Sequence, residues 1–314
     1  MQINPVIVKE LRGRMRGWRS LLILVIYLSV LSVISMMIYG AAKDFGRGLG
    51  GSQSSQVGKA IFSGLVIFQT VMVALLTPAF TSSAITQERE QKTYELLVTT
   101  LLPARSIILG KLGSALAYVA LLIIAIAPLE SLAFMFGGVS PEEIILSQVV
   151  MLFAALLFAS VGIFWSSVVR TSVASNVLTY GTILFLTIGV PFIYYIVTTM
   201  TMRSSYLGGS SVNTPGFFYF SLLLLSSHPV IAMVFSEMYY LRGDSLFIYT
   251  TDNWGIFSSN GNTVTIISPW LLFCIEALLF SSILIFFAIR KVQPVRYKSP
   301  LRPQVNEPPQ LLEE

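Results

Sequence analysis

The chain of 314 residues has little of what a water-facing surface needs: only 11% of its residues are charged, against about 25% in soluble domains. So few charges cannot cover a folded surface in water. There is one cysteine, Cys274, which excludes an internal disulfide and leaves no basis for a thiolate-ligated metal site. There is one histidine, His228, so no site can rest on two imidazoles. A lone histidine and scattered serines assemble no nucleophile with its base, and no catalytic residue is assigned.

Apolar residues fill the gap. They make up 54% of the chain, and the mean hydropathy is +0.76. The net charge of +5 in such a chain marks the cytoplasmic membrane side rather than nucleic-acid binding. About 20 apolar residues at 1.5 Å rise cross a bilayer. Six segments qualify: Leu21 to Ala42, Ala60 to Ser82, Ile107 to Leu129, Pro141 to Val169, Ala174 to Met200 and Pro269 to Ile289. The first follows a basic stretch, as a signal peptide would, but it is too long for a cleavable core and reads as a span.

A seventh apolar segment, Phe217 to Phe235, is interrupted by Ser226, Ser227, His228 and Pro229. Proline breaks helical bonding there, so the segment reads as a re-entrant pair of short helices; a full seventh span is the alternative. Charge favours re-entry. With six spans and a cytoplasmic N-terminus, all of the 20 basic residues except Lys43, Arg47, Lys59, Arg203 and Arg242 fall inside. A seventh crossing would put the basic C-terminal tail outside. The expected fold is therefore an all-α integral membrane protein in the cell membrane, multi-pass, with both termini cytoplasmic. Residues 1–293 form one transmembrane domain, and the proline-rich stretch 294–314 is a disordered tail.

Local signals refine the plan. Ser140-Pro141-Glu142-Glu143 is a capping box that starts the fourth span. Asn4-Pro5 opens a helix whose Ile7, Leu11, Met15 and Trp18 share one face, while Arg12, Arg14, Arg16 and Arg19 crowd elsewhere. That pattern fits an interfacial amphipathic helix against membrane lipids, or a basic flank orienting the first span. The outer loop 203–268 carries strand-like runs at Ser245 to Thr250 and Thr263 to Ile267, with a hairpin-turn pattern at Ser258-Ser259-Asn260-Gly261. It is expected to form a small extracellular region with some β structure.

The loop between the second and third spans is the most informative. Glu88-Arg89-Glu90-Gln91-Lys92-Thr93-Tyr94-Glu95 is a helical stretch of mixed charge, Leu96 and Leu97 give it an apolar edge, and Pro103 ends it before Arg105. Such a helix, held under the membrane, could dock on a cytoplasmic partner. It could equally be a solvated loop with exposed ion pairs of little energetic weight.

This stretch resembles the loop of type-2 ATP-binding-cassette (ABC) permeases: Glu88, Glu90, Thr93, Glu95, Leu96, Leu97, Arg105, Gly110 and Lys111 occur in that family's order. Asn4-Pro5-Val6 through Lys9-Glu10-Leu11 and Arg16 resemble its N-terminal helix. The family often has proline where Leu101 stands; here the proline is Pro103. The resemblance implies a permease subunit of an ATP-driven exporter. It would pair as a dimer with a second permease copy or homologue, and couple through Glu88, Arg89, Glu90, Thr93, Glu95, Leu96, Leu97 and Arg105 to a separate cytoplasmic ATPase. Gly58-Lys59 is followed by Ala60 and Gly110-Lys111 by Leu112, so neither completes a phosphate-binding loop. ATP and magnesium would belong to the partner, with no cofactor or metal on this chain. A non-transporting membrane anchor of the same fold is a second reading. A secondary transporter is a third, disfavoured by the lack of a repeat.

Glu276, inside the sixth span, is a candidate pathway residue or a paired buried carboxyl. Glu130, after Pro128, is expected at the outer interface. His228 beside Pro229 is expected to be structural. Tyr194, Tyr195, Trp254 and Trp270 suit an aromatic belt. Gly137, Gly138, Gly162 and Gly181 could serve close helix approach or loop chemistry. The weakly charged spans favour a hydrophobic or amphipathic substrate.

Overall fold

The computed structural model describes residues 10–13, 17–46, 53–93, 103–206, 215–240, 247–251, 253–254, 257–258 and 264–292. Six helical stretches in it are long and apolar enough to cross a membrane. The first two spans are α1 (Trp18–Gly46) and α2 (Gln53–Thr81), and the short α3 (Thr86–Glu90) follows. The third is α4 (Ala104–Ala125) continued by α5 (Ala127–Phe136), and the fourth is α6 (Pro141–Val168). The fifth joins α7 (Ser172–Leu184), a π-helical turn (Phe185–Gly189) and α8 (Val190–Tyr206). Then come α9 (Pro215–Ser226), α10 (Pro229–Tyr240), four short strands and the last span, α11 (Pro269–Lys291). The expected six spans are present, and the chain is a multi-pass, all-α membrane protein.

Helix α6 is the hub, packing against α2, α4, α7 and α11. Its apolar residues are spread around the whole helix, and a helix apolar on all sides is buried by its neighbours. Its start is held by the expected capping box: Glu143 N–H donates to Ser140 Oγ at 3.2 Å, and Ser140 N–H to Glu143 Oε2 at 3.3 Å. At its other end, Gly162 lets α2 come close. A Cβ at Gly162 would lie 2.1 Å from Thr81 Oγ1 and 3.1 Å from the Ser82 backbone nitrogen. Gly181, by contrast, faces open space, and Gly137 and Gly138 serve a turn at positive φ.

Proline sets the irregularities. The third span breaks at Ile126, with Pro128 in the first turn of α5. In the fifth span the π turn precedes Pro191, which cannot donate to the carbonyl of Thr187. The break at Ile126 has a consequence that corrects an expectation. Glu130 is not at a wetted interface but fully buried, accepting from Gln148 Nε2 at 2.6 Å and Ser147 Oγ at 3.5 Å. The α5 segment leans onto α2 and α6, so its polar face turns inward.

The α9–α10 pair is bent by 118°. Two 12-residue helices are each about 18 Å long, so at this bend they advance about 19 Å together, short of a hydrocarbon core of about 30 Å. That length and bend suit the expected re-entrant pair better than one straight crossing. His228 caps the second arm: Ile231 N–H donates to its Nδ1 at 3.3 Å, the structural role expected of it. Its tip is tied to the last span, where Ser226 Oγ donates to Glu276 Oε1 at 3.1 Å.

Beyond the pair, the strands Ile248–Thr251 (β1) and Val264–Ile267 (β4) run antiparallel, with Ile248 opposite Ile267. Asn253–Trp254 (β2) pairs antiparallel with Phe257–Ser258 (β3), while Ser259, Asn260 and Gly261 of the hairpin-turn pattern lie outside the described residues. The tail 294–314 lies outside the described residues.

Candidate functional site: the loop helix and its clamps

Helix α3 lies just beyond the end of α2, at the same end of the bundle as the C-terminus of α6 and the N-terminus of α7. The chain leaves α2 in a tight turn over Ser82 to Ile85 that side chains of α6 and α7 fix in place. Ser166 Oγ accepts from Ile85 N–H at 2.8 Å and Thr86 N–H at 3.2 Å. Ser175 Oγ donates to the Ser82 carbonyl, and Ser82 Oγ to Asn176 Oδ1. These buried hydroxyls supply partners for backbone groups that the broken helix leaves unpaired.

Three successive charges then clamp α3. Glu88 Oε1 lies 2.6 Å from Lys111 Nζ, and Lys111 also reaches Glu10 Oε1 at 3.1 Å. Lys111 is only 5% exposed, so one buried ammonium ties the N-terminal segment, the loop helix and the third span together. Arg89 donates from Nη1 to the Val169 carbonyl and from Nη2 to the Ser167 carbonyl, both at 3.0 Å. It therefore covers the C-terminus of α6, the negative end of a helix. Glu90 does the converse at the start of α7. Its Oε1 accepts from Ser172 N–H at 2.7 Å and its Oε2 from Ser172 Oγ at 2.8 Å. The backbone bond first, and the hydroxyl bond second, hold this exposed carboxyl below the usual carboxylate range. Adjacent residues of opposite charge thus meet the two helix ends of opposite polarity that the α6–α7 connection brings together.

The turn after α3 faces outward. Gln87, Gln91, Lys92 and Thr93 are exposed. Lys92 adopts φ 58°, and Thr93 N–H closes back onto the Glu88 carbonyl at 3.0 Å. Arg105, in the first turn of α4, is also exposed. Glu95, Leu96 and Leu97 lie outside the described residues, as do Arg14, Arg16 and the Arg19 side chain. Of the expected interfacial helix, residues 10–13 are helical with Arg12 exposed, and Trp18 is 71% exposed. Glu276 sits apart from this cluster, half-buried against the re-entrant tip.

Sequence reasoning placed Glu88, Arg89 and Glu90 in one site but not what they hold. Ser166 and Ser172, and the roles of Glu10 and Lys111, were missed. Glu10 and Lys111 both stand in the stretches that resemble the family, and Lys111 is a charge within the apolar segment Ile107 to Leu129.

No curated protein matches the sequence. The family model for the ABC-2 family transporter protein matches residues 5–239, which includes the clamped loop, the first five spans and the re-entrant pair. With three quarters of its length matched and the six-span bundle in place, the chain belongs to the ABC-2 transporter family, as a membrane-spanning permease of an ABC transporter.

Proposed function

We propose that this permease is the membrane half of an ATP-driven exporter, worked by a separate cytoplasmic ATPase that docks at the α3 end of the bundle. The carrying observation is the triple clamp at Glu88, Arg89 and Glu90. A loop helix anchored at once to α4, α6 and α7 passes a push at its surface directly to three spans. The outward-facing Gln87, Gln91, Lys92 and Thr93, with Arg105 nearby in sequence, supply the contact surface. The positive-inside bias supports placing this end, and both termini, in the cytoplasm of a cell whose plasma membrane holds the protein. A second permease, identical or homologous, would pack on the least covered spans. These are α1, where Val25, Met36 and Met37 are exposed, and α7–α8, where Val177, Ile188 and Phe192 are exposed. The substrate is hydrophobic or amphipathic, consistent with spans so poor in charge.

The test is co-purification with the ATPase and ATP-dependent transport in reconstituted vesicles. Glu88→Lys and Glu90→Lys should uncouple or release the ATPase while the permease still inserts. Because those changes also break the clamps, Lys92→Glu with Arg105→Glu provides the surface-only comparison. Normal ATPase binding and transport in all of these variants would remove the loop from the coupling path.

A further inference from the structure

Where the second arm of the bent pair, α10, meets α2 and α6, the packing leaves a crevice of about 570 Å³, its open mouth included. Its walls are Val66 and Ile67 of α2, Leu146 of α6, and Val230, Met233 and Val234 of α10. Two serines also line it, but both turn their hydroxyls to their own helices. Ser63 Oγ donates to the Lys59 and Ala60 carbonyls, and Ser236 Oγ to the Ala232 carbonyl. Ser236 Oγ also accepts from Trp270 N–H at 3.1 Å, which holds this arm to the start of α11. Ile67 is 45% exposed and Val234 42%, so both stand at the mouth, which opens sideways onto the outer surface of the spans.

The crevice has a direction. Glu143 and Trp270 lie in the first turns of α6 and α11. Both helices finish at the loop end, where Ala288 of α11 packs in one cluster with Ile85 and Ala104, so their first turns mark the opposite end. Ile67 lies one turn nearer the loop than Ser63, since α2 runs towards α3. The polar end is thus away from the loop, and the apolar depth points into the bundle. Water finds few partners on such walls, and an empty gap forfeits dispersion contacts on every side. The mouth is continuous with the apolar surface that the spans present to the bilayer, so the molecule that meets it is lipid. We propose that this crevice binds one acyl chain of a phospholipid from the leaflet opposite the loop helix. The headgroup sits beside Glu143 and Trp270, the level at which tryptophan meets a membrane interface, and the chain runs past Ile67. This inference is independent of what the permease carries, and of its coupling at the loop.

The experiment reconstitutes the full chain in phosphatidylcholine vesicles that carry a trace of the same lipid with a diazirine in one acyl chain. After irradiation, the labelled peptides are mapped by mass spectrometry. Label should concentrate on the α2 and α10 peptides that contain Ile67 and Val234. It should exceed that on Leu279 and Phe280 of α11, which are exposed but do not line the crevice. Ser63→Phe fills the crevice from within, and Val234→Trp plugs its half-exposed mouth. Either should bring the α2 and α10 label down to the α11 level while the α11 label stays unchanged; Val234→Trp carries the test if Ser63→Phe does not fold. Wild-type label on α2 and α10 no higher than on α11 overturns the proposal. So does label that survives unchanged in the folded plugged variants. Exclusion of lipid from both helices, as a second copy of the chain seated there would cause, overturns it too.

Discussion

Lys111 Nζ stands 2.6 Å from Glu88 Oε1, in a place where the lysine is almost fully enclosed and the glutamate side chain is 23% exposed. Removing the ammonium would take from Glu88 and Glu10 the charge that both face at this point. Lys111→Met should therefore destabilise the protein by about 2–3 kcal/mol, less than the ~3–5 of a fully buried pair because both carboxylates can partly hydrate. Thermal unfolding of the detergent-solubilised chain measures it. The Glu88→Gln, Lys111→Met double variant should recover part of the loss, since one unpaired charge has gone with its partner.

Arg89 makes two charge-assisted bonds to the end of α6. Arg89→Ala should cost about 2–3 kcal/mol in the same assay, and Arg89→Lys should recover less than half, because an ammonium cannot span two carbonyls as a guanidinium does. Equal stability of the Lys and Arg forms would show that only charge matters there.

Ser172→Ala removes the hydroxyl bond to Glu90 but keeps the backbone one. The permease should remain as stable as wild type within error, since Glu90 is fully exposed. If α3 transmits force, ATPase stimulation by substrate should fall while ATPase binding persists. Unchanged stimulation would mean that the Glu90 contact plays no part in transmission.

Close approach at Gly162 is testable by size. Gly162→Ala should cost about 1–3 kcal/mol through overpacking against Thr81, and Thr81→Ala should relieve part of that cost. Strictly additive single and double variants would mean that the two residues do not meet.

Glu276 holds the re-entrant tip through Ser226. Glu276→Gln keeps a side-chain oxygen as acceptor and should leave the α9–α10 pair in place, whereas Glu276→Leu should loosen it. Since Cys274 is buried, a cysteine introduced at Tyr219 can be labelled with little background. Its labelling rate should rise in the Leu variant alone.

Much of this protein was legible in its sequence because the bilayer sets a simple rule. A helix that satisfies its own backbone needs only length and apolarity to span, so the six spans follow from runs of uncharged residues. The capping box at Ser140 was equally readable, since all its bonds lie within four residues. So was the structural part played by His228, which acts on the turn that follows it.

What the tertiary structure alone decided involves partners distant in sequence. Whether Glu130 met water or protein depended on how far α5 leaned after Ile126. The 118° bend between the two arms of 217–235 is an angle that no local pattern encodes. The partner of Glu276 lay 50 residues away, and those of Glu88, Arg89 and Glu90 lay on other spans. A one-dimensional reading shows which residues carry charge. Only packing brings the end of α6 and the start of α7 beside the loop, giving Arg89 a negative helix end to cover and Glu90 a positive one. The sequence by itself determined that the chain lives in a membrane; the fold decided that its loop is bolted to three of the helices.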